Sequence, residues 1–514
     1  MQVLDGTLAR DPSTLAQARP APKSAMVVFG ASGDLTRRLL MPALYNLACA
    51  GLLDDGFRVL GVDRVEGDDE VFRSHQTDSM QSFLKDRGGE FSPSSLDQTA
   101  LNWLRDRLHY QSGDFDDPAT FAAIKQWIGD GAAVFYLAVA DRFFGPVIDR
   151  LAQAELLREG PQGFRRVVIE KPFGHDLISA KALNARILNV LDESQVYRID
   201  HFLGKETVQN IMALRFSNGI FEPLWQRDHI EYVEITAAET VGVEQRAKFY
   251  EPTGALRDMV PNHMFQLLAM TAMEAPNSFD ADAVRAEKAK VIDAIHPLSA
   301  EQVRHCVVSG QYTAGTVRDQ AVVGYRQEPG VDPRSNTETY VAMKFGIDNW
   351  RWAGVPFYVR TGKRTTMRKT EIVVHFKQAP YALFRDTPVS ALTPNVMTLH
   401  IQPTEGVSLQ FSAKVPGPLV RLGGVTMDMR YSDYFKTGSA TGYETLLYDV
   451  MIGDATLFQR ADNVEVGWRA VEPILDLWAD ESSPPAPYEA GSAGPSAADA
   501  LLARSGHSWA KLVA

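Results

Sequence analysis

The sequence predicts two folded parts: a doubly wound parallel α/β domain, then a larger α+β domain whose mainly antiparallel β-sheet is covered by helices. Three observations lead there. Over roughly the first 200 residues, short apolar runs alternate with helical patterns, as βαβ units do. A glycine-bearing turn, Gly30-Ala31-Ser32-Gly33, joins the first apolar run to the first helical pattern, the connection found in a Rossmann-like domain. Farther on, runs of period two follow one another with few helical patterns between them, the habit of antiparallel strands.

The elements follow in order. Met1 to Lys23 is rich in Ala, Pro and polar residues and lacks the apolar stretch of a signal peptide, so a disordered tail is expected over residues 1–23. Met26-Val27-Val28-Phe29 reads as a buried parallel strand ending at Gly30, and a helix is expected from Leu35 to Ala50, closed by Gly51. Phe57–Val62, Ala132–Ala138 and Arg166–Glu170 read as later strands of the same sheet, which places this domain over residues 24–200. Residues 201–514 form the second domain, expected to bind substrate and to oligomerise. Its strands are expected at Ile230–Thr236, Tyr340–Phe345, Phe357–Arg360, Glu371–Phe376, Val396–Ile401 and Val407–Phe411, with helices at Leu256–Met273 and Tyr443–Phe458. The Ser/Pro/Ala-rich stretch Ser482–Ala498 reads as a surface-hugging tail or a subunit contact. No internal repeat is present.

Composition narrows the function. The chain has 514 residues, 45% hydrophobic and 23% charged, enough for a large core in two or more domains without disulfide staples. Two cysteines, Cys49 and Cys306, supply neither a disulfide framework nor a zinc ribbon. A reducing cytoplasm fits, and no metal site is expected. The formal net charge of −12 argues against general binding to nucleic acid or to a membrane surface. No apolar run is long enough to cross a bilayer. In so acidic a chain, an anionic substrate requires local clusters of basic groups.

One such cluster lies in Tyr197-Arg198-Ile199-Asp200-His201-Phe202-Leu203-Gly204-Lys205-Glu206. If the segment is helical, His201 and Lys205 stand at i and i+4 and share one face. Two cation-capable groups side by side are suited to gripping a phosphate. Asp200 then points elsewhere, free to orient a base. Alone, such a spacing is more often a solvated, salt-bridged face.

A cofactor site is suggested by Gly30-Ala31-Ser32-Gly33-Asp34-Leu35. Glycines there let the backbone approach a pyrophosphate, and the helix N-terminus offers free N–H groups. The end of the second strand then chooses the cofactor. An acid holds the ribose hydroxyls of NAD, whereas an arginine accommodates the 2′-phosphate of NADP. This chain has both, Asp63 followed by Arg64, and Arg37 and Arg38, just past the glycine turn, are expected to add positive charge close by. The reading favours NADP and keeps NAD as a second cofactor, since Asp63 would repel a 2′-phosphate that it faced. Oxidising an alcohol also needs a base for the hydroxyl proton. Among eleven histidines the candidates are His201 and His263. His263 sits in a polar cluster, Arg257-Asp258-Met259-Val260-Pro261-Asn262-His263, within a helix-like apolar pattern; alone it reads as a core histidine, and paired with Asp200 as a base.

Gly30-Ala31-Ser32-Gly33-Asp34-Leu35, Glu170-Lys171-Pro172-Phe173-Gly174 and Arg198 through Glu206 occur in the order and spacing of glucose-6-phosphate dehydrogenase of the bacterial type, which the chain resembles from Ser24 to Trp509. Trp352-x-Gly354-Val355-Pro356-Phe357, Gly362-Lys363 and Gly491-Ser492-Ala493-Gly494-Pro495 extend the resemblance. It implies oxidation of β-D-glucose 6-phosphate to 6-phospho-D-glucono-1,5-lactone with NADP, the entry to the oxidative pentose phosphate pathway. It also implies that His263 takes the C1 hydroxyl proton and that Asp200 orients His263. By the same resemblance His201 and Lys205 hold the 6-phosphate, and Lys171 stands between sugar and nicotinamide, its bond to Pro172 able to act as a joint. Glu239 and Asp258 hydrogen-bond sugar hydroxyls, while Lys363, Arg368 and Gln402 complete the pocket. A homodimer or homotetramer formed through the large sheet is implied as well, and Lys369 lies where a second, structural NADP site would need a basic residue.

Four residues depart from the family pattern. Leu39 replaces a lysine, Phe202 a tyrosine, Asp141 a proline and Pro261 a glutamine. The Phe202 change removes one hydroxyl donor, worth roughly 0.5–1.5 kcal/mol, and Pro261 is expected to bend the helix carrying the base. Two alternatives stay open on the residues alone: a dehydrogenase of another sugar phosphate, and a non-catalytic relative with a regulatory role.

Overall fold

Strands buried on both faces make the first sheet. In β1 (Ala25–Phe29) and β4 (Ala133–Leu137) every residue is buried, which is why both read as unbroken apolar runs. The computed structural model describes residues 18–84, 91–161, 163–383, 392–435, 441–481 and 483–512. Residues 1–17 of the expected tail lie outside them. Ala21 is already buried, and its N–H donates to the Leu52 carbonyl, so packing begins ahead of Ser24.

With β2 (Arg58–Asp63), β3 (Leu108–Ser112), β5 (Arg165–Ile169) and β6 (Val196–Arg198), the strands form a six-stranded sheet in the order β3-β2-β1-β4-β5-β6, parallel throughout. This is the doubly wound dinucleotide-binding order. The helix expected from Leu35 to Ala50 is in fact a π turn, Thr36–Leu40, running into an α-helix, Met41–Cys49. Pro42, at the start of the α-helix, has no N–H to return to the preceding turn, and the ladder widens there.

The second sheet has nine strands. Its members are β7 (Ile230–Ala238), β8 (Val307–Thr313), β11 (Tyr340–Phe345), β12 (Phe357–Gly362), β13 (Lys369–Phe376), β14 (Val396–Gln402), β15 (Gly406–Lys414), β16 (Leu422–Arg430) and β17 (Ala486–Glu489). A separate hairpin pairs β9 (Gly315–Val317) with β10 (Gln320–Val322). The order is β16-β15-β14-β13-β7-β12-β11-β8-β17, antiparallel except for the β7–β12 and β8–β17 pairs. The Ser482–Ala498 stretch is therefore no surface tail. Ser482 lies outside the described residues, but Ala486–Glu489 is the edge strand β17 and Ser496 opens a helix. Four residues including Pro487 are too short a run for periodicity to show, and an edge tolerates the missing donor.

The chain divides into two compact units. One comprises the chain up to Glu206 with Asn277–Arg285 and Tyr434–Val464; the other comprises Thr207–Pro276, Ala286–Asp433 and Glu465 onward. The first unit thus takes in the His201–Glu206 segment and two later stretches that a linear boundary at residue 200 does not anticipate. Among the described residues no helix is long and apolar enough to cross a membrane.

Candidate active site

In the first unit the predicted residues gather at the carboxyl ends of the parallel strands, where ligands of such sheets bind. Gly30 follows β1, Arg64 follows β2, Lys171 lies just beyond β5 and Asp200 just beyond β6. Gly30 has φ +85°, and a Cβ there would lie 2.3 Å from the Ala138 carbonyl oxygen, so only glycine allows this approach. The turn through Ala31, Ser32, Gly33, Asp34 and Leu35 leads into Thr36, whose hydroxyl donates to the Gly30 carbonyl at 3.1 Å. A bare backbone turn that a side chain would fill suits the pyrophosphate of a nicotinamide dinucleotide.

At its edge the Asp63 carboxylate accepts two backbone N–H groups, from Ser32 at 2.9 Å and from Arg64 at 2.7 Å. The Arg64 guanidinium pairs with Asp114 at 3.0 Å and lies over the rings of Phe115 and Phe143. Arg37 and Arg38 both reach Asp34, at 2.9 and 3.4 Å. Leu39 is half-buried within the π turn, and Asp141 is exposed at the start of a short 3-10 turn.

The Asp200–Lys205 segment is not helical. Leu203 N–H donates to the Asp200 carbonyl and Lys205 N–H to the Phe202 carbonyl, forming successive turns ahead of the helix Glu206–Phe216. The Asp200 side chain is buried, and its Oδ1 accepts the Phe202 N–H at 3.0 Å, the local bond by which aspartate favours a turn over a helix. The two basic groups still meet, through Phe202. Its ring lies 5.0 Å from the His201 ring, and the Lys205 ammonium stands 4.7 Å from its centroid. The aromatic departure at 202 is thus the platform under both candidate phosphate groups.

Lys171 is half-buried after Glu170, and its peptide bond to Pro172 is cis. Sequence reasoning passed over Glu170 as a functional group. Burial pushes its carboxyl up to about 7, against hydrogen bonds from Tyr136 and Tyr443 and the charge of Lys171, with Asp200 pushing the same way as burial. The Tyr136 hydroxyl donates to Glu170 Oε1 at 2.5 Å.

In the second unit, Asp258 and His263 are both buried on consecutive turns. The expected helix Leu256–Met273 is broken into the end of a helix running Ala247–Met259, a π turn Val260–Met264 carrying His263, and a helix Phe265–Ala272. Pro261 cannot donate to the Arg257 carbonyl, and the Asn262 side-chain amide reaches that oxygen at 3.3 Å instead. Upstream, Gly254 turns the chain at φ +66°, where a Cβ would lie 2.3 Å from Glu338 Oε1. Glu338 then caps the turn bearing Asp258: its carbonyl accepts the Ala255 N–H at 3.0 Å and its Oε1 the Leu256 N–H at 2.9 Å. Its carboxyl is pushed up to about 7 by burial, with those hydrogen bonds opposing. A lone glutamate in a loop carries no sequence signal of this role; the glycine it packs against is the only hint.

Glu239 and Lys363 follow the parallel strands β7 and β12, and the Lys363 ammonium reaches Glu239 Oε2 at 2.6 Å. Arg368, just before β13, donates to Gln402 Oε1 at the end of β14 at 3.5 Å. Lys369 pairs instead with the buried Glu371, at 2.9 Å.

Residues 27–210 match the NAD binding domain of glucose-6-phosphate dehydrogenase and residues 212–510 its C-terminal domain. The first match makes the doubly wound unit the one that takes a nicotinamide cofactor. The chain is 45% identical over 497 residues to glucose-6-phosphate 1-dehydrogenase of Aggregatibacter actinomycetemcomitans, covering 95% of this chain and 97% of the relative. It is 44% identical over 508 residues to the Chlamydia pneumoniae protein of the same name, covering 96% and 97%. Among solved structures, a glucose-6-phosphate dehydrogenase in complex with its substrate glucose-6-phosphate superposes with a TM-score of 0.85 at 30% identity, over 96% of this chain and all of that one. The Mycobacterium avium glucose-6-phosphate 1-dehydrogenase superposes with a TM-score of 0.79 at 37% identity, over 95% and 99%. The chain belongs to the glucose-6-phosphate dehydrogenase family.

Proposed function

We propose that this protein oxidises β-D-glucose 6-phosphate to 6-phospho-D-glucono-1,5-lactone, with NADP as the favoured cofactor and NAD as a second one. The bound nicotinamide supplies the hydride acceptor. The chain's own residues do the rest. An imidazole nitrogen of His263 takes the proton of the C1 hydroxyl, and the Asp200 carboxylate orients the ring and stabilises its protonated form. His201 and Lys205 hold the 6-phosphate by charge-assisted hydrogen bonds. Glu239 and Asp258 bind sugar hydroxyls, with Lys363, Arg368 and Gln402 completing the pocket, and Lys171 stands between sugar and nicotinamide. Gly30, Ala31, Ser32, Gly33, Asp34, Leu35 and Arg64 bind the cofactor.

The observation that carries this reading is the pairing of family membership over nearly the whole chain with an intact set of candidate groups. A non-catalytic relative would be expected to lose the base or its orienter first, and both remain. Val425 and Met427 stand exposed on β16, which supports a homodimer or homotetramer formed through this sheet, checked by sedimentation.

The test is the rate of nicotinamide reduction, followed by its near-ultraviolet absorbance, with glucose 6-phosphate and either cofactor. Turnover with glucose 6-phosphate is expected, faster with NADP. No turnover with either cofactor would refute the reading, and turnover only with another sugar phosphate would replace the substrate.

A further inference from the structure

The cofactor turn holds a feature that the functional reading leaves unused: a carboxylate of the protein already sits on the donors an anion would take. Ser32 N–H, from the turn after β1, and Arg64 N–H, from the end of β2, converge on one side chain. Asp63 answers them with one carboxylate oxygen each, Oδ2 to Ser32 and Oδ1 to Arg64. Two converging backbone N–H groups beside a positively charged side chain make an anion-binding concavity. Here the anion is built into the chain.

The arginine of that concavity is also engaged. Its guanidinium pairs with Asp114 at 3.0 Å and lies 5.5 and 5.1 Å from the Phe115 and Phe143 centroids. Arg37 and Arg38 both lean on Asp34, and Arg142 lies over the Phe143 ring, 4.9 Å from its centroid. Two carboxylates thus engage Arg64 at the end of β2, Asp63 through its backbone N–H and Asp114 through its guanidinium. A 2′-phosphate arriving there meets like charge on one side and an arginine shared with Asp114 on the other. A ribose 2′-hydroxyl meets a carboxylate acceptor and is not repelled.

We infer that Asp63 and Asp114 are the specificity-determining residues of the adenosine end of this site, weakening its hold on the 2′-phosphate and opening it to NAD. This rests on the reading of the Gly30–Leu35 turn as the nicotinamide-cofactor site. Asp63 acts directly, by occupying the Ser32 and Arg64 N–H groups. Asp114 acts through Arg64, and is a positioning residue.

The test is calorimetric titration of the full-length protein with ADP-ribose and with 2′-phospho-ADP-ribose, fragments that need no turnover. The unaltered protein is expected to bind both, with dissociation constants within about tenfold of each other. In Asp63→Asn the two move in opposite directions: 2′-phospho-ADP-ribose tightens by about tenfold and ADP-ribose weakens. Asp114→Asn, whose side chain is half exposed and far less apt to disturb the turn, tightens only the 2′-phosphorylated ligand, by roughly threefold to tenfold. Unchanged affinity ratios in both variants, or a parallel fall for both ligands, would overturn the inference and leave the cofactor site standing. Failure of the unaltered protein to bind either ligand would overturn the cofactor-site reading itself, and the inference with it.

Discussion

The Lys363 ammonium lies 2.6 Å from the Glu239 carboxylate, although 124 residues separate them in the chain. The register of two parallel strands brings them together: Gly362 at the end of β12 faces Ala238 at the end of β7, and the Glu239 N–H donates to the Gly362 carbonyl at 2.9 Å. A pair so placed fixes the orientation of both side chains, as the proposed role on the sugar hydroxyls requires.

Lys363→Ala and Glu239→Gln are each expected to raise the KM for glucose 6-phosphate about tenfold. The double variant is expected to fall short of the product of the two effects, with a coupling of about 1 kcal/mol in a double-mutant cycle. Fully additive effects on KM would mean that the two side chains serve the ligand independently.

His263→Asn is expected to lower kcat by roughly 10²–10⁴-fold, the usual size of a general-base contribution. Binding of glucose 6-phosphate, measured by calorimetry, should stay within about threefold, because the proposed phosphate groups, His201 and Lys205, are untouched. Retained turnover would remove His263 as the base.

Lys205→Thr is expected to raise the KM for glucose 6-phosphate at least about tenfold, by loss of a charge-assisted hydrogen bond to phosphate. Phe202→Leu should have a milder effect of the same kind, about twofold to fivefold in KM, since it removes the ring beneath the Lys205 ammonium and beside His201. If Phe202→Leu changes kcat and leaves KM alone, the ring does not serve the phosphate groups.

Glu338 couples stability to pH. Burial raises its carboxyl from the usual 4.5 to about 7, so the folded state holds the proton more tightly than the unfolded one. The stability this contributes is complete below about pH 4.5 and is lost as the pH rises through about 7. Glu170 acts with the same sign. Glu338→Gln keeps an oxygen for the Leu256 N–H and cannot ionise. Thermal melts should show it close to the unaltered protein near pH 5 and roughly 3 °C more stable near pH 8. A variant that melts lower at both values would show that the glutamate serves as an ionised cap.

The inner strands of the first sheet were legible because burial on both faces leaves apolar runs such as Met26–Phe29 and Ala133–Leu137. β3, with the sequence Leu-His-Tyr-Gln-Ser, and β17, Ala-Pro-Tyr-Glu, escaped notice, since edge strands alternate or run short. The π turn at Thr36–Leu40 was read as plain α-helix and the one at Val260–Met264 as a helix bent by Pro261, because apolar spacing reports which face is buried and not how the backbone ladder closes beside a proline.

For the site, the sequence alone determined which chemical groups are present and near which strand ends. The motifs around Gly30 and Lys171 are local, and the chain pattern suffices to place them just after strands; at Asp200 and His263 it shows the groups present but not the turns that hold them. Only the tertiary structure decided the pairings: Lys363 with Glu239, Arg368 with Gln402, Glu338 on the Leu256 N–H, and Asp63 on the N–H groups of Ser32 and Arg64. Most of these cross long stretches of chain, and strand register and burial choose the partner there. A carboxylate's role then follows from what lies against it in space, which one-dimensional spacing does not encode.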